Sequence, residues 1–233
     1  MRRRPLRRPD VPRRSAAGPS RGEAALRAEL VEVCRRLHAR DLIGAAEGNV
    51  SARLADGRVL VTPAGASKGH LAPRELVVVD ATGRVVRGVR RPSTELRMHL
   101  AALAARPDAN AVVHAHPLTA VAFTVAGLPP PNDLVPEAAV TLGQVALAPF
   151  ATPGTDEVAA SLAPLLARHD VVLLERHGAV ALGRTLAEAF ERMETLERVA
   201  RVALLARLLG RAEPLPPGAI EAVLRAAGRP PRG

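Results

Sequence analysis

Residues 109–116, Ala-Asn-Ala-Val-Val-His-Ala-His, constrain the fold of this chain more than any other stretch. β-Branched residues lead into two histidines spaced i and i+2, and the two-residue period of a strand turns both imidazoles to one face. Neutral imidazoles are good ligands for Zn2+ or a similar divalent ion, and a strand fixes both without the ordering cost of a loop. A third nitrogen is offered by His177, where the apolar run 171–175 ends in Arg176-His177-Gly178 and the glycine lets the backbone turn or approach closely. Three histidines with an open position form the pattern of a catalytic rather than a closed structural site. Pairs of the H-x-H type also occur as solvated or hydrogen-bonded imidazoles, and the spacing of His114 and His116 alone leaves both readings open.

The 233 residues, 48% of them hydrophobic, suffice for one domain with a single sizeable core. No segment approaches the ~18 uninterrupted apolar residues of a membrane span. The basic first residues are not followed by an apolar stretch, so no secretory signal is visible. Cys34 is the only cysteine, which excludes an intramolecular disulfide and suits a reducing cytoplasm. The net charge of +10 is concentrated at one end: residues 1–21 hold eight arginines against Asp10, a balance of +7, and residues 22–233 carry +3. With no Tyr or Trp and three Phe, the aromatic platforms that stack on nucleic-acid bases are missing. A nucleic-acid partner is therefore not expected.

Residues 1–22 read as a disordered Arg/Pro-rich arm, 23–210 as the folded domain and 211–233 as a Pro/Arg-rich tail. From Glu23 a helix is expected, with Leu26, Leu30, Val33, Cys34 and Leu37 on one face, so Cys34 reads as core. Strands at 49–54 and 58–62 flank Asp56-Gly57, a strong hairpin signal. The loop 63–69 carries two glycines and its backbone N–H groups can cradle an anion. Lys68, the only lysine, reads as a solvated side chain in that loop, against the alternative of a Schiff base.

Strands at 76–80 and 84–86 follow, then a helix opened by Pro92-Ser93-Thr94-Glu95, with Ser93 or Thr94 as N-cap and Leu96, Leu100 and Leu103 facing inward. Its N-terminus is also a ready phosphate site. After the histidine strand, a helix from Pro117 is expected to pack through Leu118, Val121 and Val125. A strand at 145–148, a helix capped by Thr155 and bent at Pro164, and strands at 171–175 and 179–182 precede a long helix, begun by the capping box Thr185-Leu186-Ala187-Glu188 and ending near Leu209. Beyond Gly210 only a peripheral tail is expected. Alternating strands and helices make the class α/β.

Five segments in order give the chain a resemblance to the class II aldolase/adducin family over roughly residues 23–209: Gly48-Asn49-Val50-Ser51, Thr62-Pro63-Ala64-Gly65, Pro92-Ser93-Thr94-Glu95, residues 107–116, and His177-Gly178. The resemblance is nearest to the family's ketose 1-phosphate aldolases. It implies a three-layer α/β/α domain with a central, largely antiparallel sheet, and a homotetramer with active sites at subunit interfaces. It makes His114, His116 and His177 ligands of a divalent metal, Zn2+ or another transition ion, with Glu95 as a further, displaceable ligand and the catalytic acid/base. It makes Asn49, Thr62, Gly65, Ser93 and Thr94 the pocket for a substrate phosphate. The implied reaction is aldol cleavage of a small phosphorylated ketose, such as a fuculose 1-phosphate, to dihydroxyacetone phosphate and an aldehyde through a metal-stabilised enediolate.

The chain departs from that pattern in one respect. Family aldolases use tyrosines of a neighbouring subunit in proton transfer to the aldehyde fragment, and this sequence has no tyrosine. Near the expected place stands Glu137, which resembles the acid/base glutamate of the family's sugar-phosphate dehydratases, although a solvated loop glutamate fits the same position. The family's epimerases carry aspartate where this chain has Glu95, which disfavours epimerisation. An adducin-like interaction module with no catalysis is the remaining alternative, and retention of the histidines and Glu95 argues against it.

Overall fold

The computed structural model describes residues 21–228. The arm expected at 1–22 lies outside the described residues, except that Arg21 and Gly22 open the first helix. In chain order the elements are α1 (Arg21–Ala39), β1 (Asn49–Arg53), β2 (Val59–Val61), β3 (Val77–Val79), β4 (Val85–Arg87), α2 (Leu96–Ala105), β5 (Ala111–Ala115), α3 (Leu118–Val125), a π-helical turn (Ala138–Leu142), β6 (Ala146–Ala148), α4 (Asp156–Leu166), β7 (Val171–Leu174), β8 (Gly178–Gly183), α5 (Leu186–Leu208) and α6 (Ala219–Ala226).

The eight strands form one sheet in the order β4-β3-β2-β1-β5-β8-β7-β6. Strands β1 and β2 pair antiparallel around Asp56-Gly57, with Ser51 opposite Val61. The β6–β7 pair alone is parallel, as the α4 crossover between them requires. Two-residue alternation divides the sheet's side chains between two helical layers. Val50, Ala52, Val113 and Ala181 pack with α1, α3 and α5, while Val61, Val112, Val180 and Leu182 pack with α2 and α4. The α/β/α layering follows. Leu30, Cys34 and Leu37 of α1 are fully buried, and each buried leucine is worth roughly 1.5–3 kcal/mol relative to exposure.

Four local expectations are corrected. In α3, Leu118 and Val125 are 64% and 50% exposed, and the buried face is Thr119, Ala120, Phe123 and Thr124. The rotation of this short helix is set by the Glu197 carboxylate of α5, which accepts from the Thr119 and Ala120 N–H groups. At α2 the N-cap position belongs to Glu95, while the Ser93 hydroxyl accepts from the Glu95 N–H at 3.2 Å. Lys68 is buried rather than solvated, and its Nζ donates to the Ala46 carbonyl at 2.7 Å. The region after Gly210 contains α6, which buries Leu224, and the Leu215 N–H ties this segment to the Asp133 carbonyl at 2.7 Å. Ile220, Val223 and Leu224, at i, i+3 and i+4, form the apolar stripe of this helix, which the flanking Pro, Gly and Arg residues masked.

Candidate metal centre

Central strand β5 delivers the first imidazole. His114 is fully buried, with Asn49 of β1 on one side and Val180 of β8 on the other. Its Nδ1 lies 2.9 Å from the Ala179 carbonyl, which only accepts, so Nδ1 carries the proton and Nε2 presents a lone pair. His116 follows the last residue of β5, and its N–H donates to the Leu42 carbonyl at 2.9 Å. His177 comes from the tight turn between β7 and β8, in which Arg176 adopts a left-handed φ of 58°. The Arg176 N–H donates to the Thr124 hydroxyl at 2.9 Å, and the His177 N–H to the Leu174 carbonyl at 3.1 Å.

Gly178 makes room for the cluster. A Cβ at this position would stand 2.5 Å from the Ala115 carbonyl oxygen, 2.8 Å from His116 Cδ2 and 3.1 Å from His114 Cε1. Only glycine lets β8 approach β5 here.

The three rings form a near-equilateral triangle, with centroids 5.0, 5.0 and 5.1 Å apart. One nitrogen from each lies within 4.8 Å of the others, and His114 Nε2 and His116 Nε2 are 3.2 Å apart. Glu95 lies against the triangle, with Oε2 3.2 Å from His114 Nε2 and Oε1 3.5 Å from His177 Nε2. Burial raises the Glu95 carboxyl, but positive charge within the triangle, for which an imidazolium at His114 or His177 stands in, and the Asn49 amide outweigh it and hold the group well below the usual carboxylate range. Burial first, and then any positive charge on a neighbouring ring, push His116 down to about 4 and lower His177.

This donor set fits a divalent ion. Imidazole nitrogens about 2.1 Å from a tetrahedral Zn2+ stand about 3.4 Å apart, close to the 3.2 Å seen between His114 and His116. Buried Glu95 Oε1 has no hydrogen-bond partner, an orphan of the kind a cation satisfies. Glu47 Oε2 lies 3.6 Å from His116 Nδ1, on the ring edge away from the triangle, where a carboxylate orients a ligand histidine.

The residues expected to take a phosphate fall into an exposed and a buried group. The Ala64 N–H donates to the Arg91 carbonyl and the Ser93 N–H to the Thr62 carbonyl, both at 3.0 Å, which joins the loop after β2 to the approach to α2. Gly65, at φ 64° with open space around its Cβ direction, and Thr94 are exposed. Asn49, Thr62 and Ser93 are buried beneath them, and the Thr62 hydroxyl accepts from the Val50 N–H at 3.3 Å. Asn49 also has a contact that no spacing suggested: its Nδ2 donates to Glu95 Oε2 at 2.8 Å.

Glu137 is exposed at the start of the π-helical turn and does not join the triad. Burial pushes the Cys34 thiol up to about 12 and so keeps it protonated. His99, unassigned by the sequence, is fully buried four residues after Glu95; burial is the main cause that pushes it down to about 3. A lone histidine within an apolar helical pattern gave no signal of this.

Residues 28–204 match the model of the Class II Aldolase and Adducin N-terminal domain. Among similar proteins, an L-fuculose phosphate aldolase of Methanococcus vannielii is 35% identical over 75% of this chain and 93% of its own length. A 3-oxo-tetronate 4-phosphate decarboxylase of Escherichia coli is 35% identical over 77% of this chain and 86% of its own. The crystal structure of L-fuculose-1-phosphate aldolase from Thermus thermophilus superposes with a TM-score of 0.73 at 36% identity, covering 82% of this chain and 99% of that one.

Proposed function

The chain belongs to the class II aldolase/adducin family, and from that premise we propose that it is a divalent-metal-dependent lyase that breaks the carbon–carbon bond one carbon removed from the carbonyl of a small phosphorylated sugar. The favoured reaction is aldol cleavage of a ketose 1-phosphate to dihydroxyacetone phosphate and an aldehyde. One observation carries this reading: a half-buried carboxylate, Glu95, lies against His114 and His177 of three converging imidazoles with one buried oxygen uncommitted.

His114, His116 and His177 would hold the ion, with Glu95 as a ligand that substrate displaces. A divalent ion there, Zn2+ or another transition metal, would supply a Lewis acid that draws electron density from a carbonyl and its neighbouring hydroxyl. The chain's own groups do the rest. As the C3–C4 bond breaks, the C4 hydroxyl loses a proton and C3 gains one; Glu95 is the acid/base placed for the C3 proton. Gly65, Ser93 and Thr94 would seat the phosphate beside the N-terminus of α2, with Thr62 supporting the loop from beneath and Asn49 offering its second amide hydrogen. Binding the phosphate away from the reacting carbons orients the sugar.

Decarboxylation of a 3-oxo acid phosphate is the second reading, and the absence of tyrosine favours it. Carbon dioxide leaves without a hydroxyl proton to remove, so that step needs no second base. Glu137 is assigned an acid/base role only for a dehydration, and Glu137→Gln tests it. The homotetramer implied by the family has support in the exposed Leu205, Leu208 and Leu209 at the end of α5; sedimentation of the purified protein tests it.

The deciding experiment incubates metal-loaded and chelator-stripped protein with ketose 1-phosphates and a 3-oxo-tetronate 4-phosphate, measuring dihydroxyacetone phosphate and carbon dioxide. Metal-dependent dihydroxyacetone phosphate from a ketose 1-phosphate, with no carbon dioxide, supports the aldolase. Carbon dioxide released together with dihydroxyacetone phosphate from the 3-oxo-tetronate 4-phosphate, and no cleavage of the ketose 1-phosphates, transfers the assignment to the decarboxylase, and neither product from a metal-loaded protein defeats both.

A further inference from the structure

We propose that His99 is a positioning residue that acts through Asn49 to fix which oxygen of Glu95 is free to react. The inference rests on Glu95 being the acid/base of the reaction proposed above. Two periodicities create the arrangement. Asn49 and Ser51 sit two apart on β1, opposite His114 and Val112 of β5, and so share the sheet face that carries His114. Glu95 and His99 sit four apart at the start of α2, on the side that meets this face. Each strand residue therefore meets a helix residue.

The hydrogen bonds run in one direction. A carboxylate oxygen only accepts, so the 2.8 Å contact of Asn49 Nδ2 with Glu95 Oε2 turns the amide oxygen the other way, onto His99 Nε2. That oxygen in turn only accepts, so His99 Nε2 carries the ring proton. With the imidazole neutral, as burial dictates, His99 Nδ1 is bare and accepts from the Ser51 hydroxyl at 2.7 Å. Ser51 donates to His99, His99 to Asn49 and Asn49 to Glu95. Glu95 Oε2 is thereby committed, while Oε1 has no hydrogen-bond partner and lies 3.5 Å from His177 Nε2. Without His99 the Asn49 amide loses the bond that fixes its orientation, and the carboxylate is free to rotate.

An ordinary satisfied core histidine makes a different prediction from a positioning one, because an apolar replacement would then serve equally well. On our reading His99→Leu lowers kcat roughly a hundredfold with KM and bound metal retained. His99→Gln, whose amide N–H reaches the position of Nε2, recovers most of that loss. Ser51→Ala, a milder change for a protein in which His99→Leu does not fold, lowers kcat several-fold.

The tautomer is read separately, from ring-nitrogen shifts of histidine-labelled Zn2+-loaded protein. A neutral His99 protonated at Nε2 is expected. A proton at Nδ1, unchanged kcat in His99→Leu and Ser51→Ala, or equal losses in His99→Leu and His99→Gln would overturn the relay. If the wild type turned over none of the sugar phosphates, the proposed reaction would fall, while the tautomer would still decide the relay.

Discussion

At the scale of single residues, the metal centre depends as much on what is missing as on its ligands. Gly178 has no Cβ because the Ala115 carbonyl and two imidazoles occupy that space. Gly178→Ala is expected to lose bound metal and activity while the far side of the sheet stays folded; full metal occupancy in that variant, measured by elemental analysis, would contradict the packing argument. Glu95→Gln keeps the shape and the Asn49 contact but not the basic oxygen, and should retain metal while kcat falls by roughly two to four orders of magnitude. Unchanged kcat would remove Glu95 from the chemistry. The three histidines were legible because a strand period and a following glycine are local signals. His99 was not, because its partners Ser51 and Asn49 lie 48 and 50 residues away in sequence, and no spacing rule reaches that far.

At the scale of elements, α3 shows why an apolar count misleads for a helix of eight residues. Its rotation is set by one carboxylate: Glu197 accepts from the Thr119 N–H and hydroxyl and from the Ala120 N–H, anchoring the N-terminus just after His116. Glu197→Ala should destabilise the protein by about 1–3 kcal/mol, seen as a melting temperature lower by several degrees; no change would leave the rotation of α3 unexplained. After α2, Arg106 pairs with Asp108 and Asp170. The hydrogen bond from Arg106 pulls the Asp108 carboxyl from 3.8 down to about 2. A depressed folded value contributes stability above the unfolded value and loses it as pH falls toward the folded one. Acid unfolding between about pH 4 and 2 should therefore be less steep in Asp108→Asn than in the wild type. The helices of the sequence reading other than α3 pack where their apolar stripes placed them, whereas the stripe Ile220, Val223 and Leu224 of α6 was hidden among the Pro, Gly and Arg residues around it.

At the scale of the whole molecule, alternation of strand and helix announced the class, but the strand order was not local information. The order β4-β3-β2-β1-β5-β8-β7-β6 places β1 and β8 on either side of β5, so that histidines from two parts of the chain, Asn49 from a third and Glu95 from the covering helix converge on one point. The fold's contribution to chemistry is this convergence, which should have a thermodynamic signature: a ligand at a hundred times its dissociation constant stabilises the folded state by about 2.7 kcal/mol. The most direct test is the metal content of the purified, folded chain beside that of His177→Ala, each with its carbon–carbon lyase activity. The account predicts one divalent ion per wild-type chain, removed together with activity by His177→Ala. A metal-free wild type that cleaves its substrate, or a His177→Ala variant that keeps both ion and turnover, would contradict it.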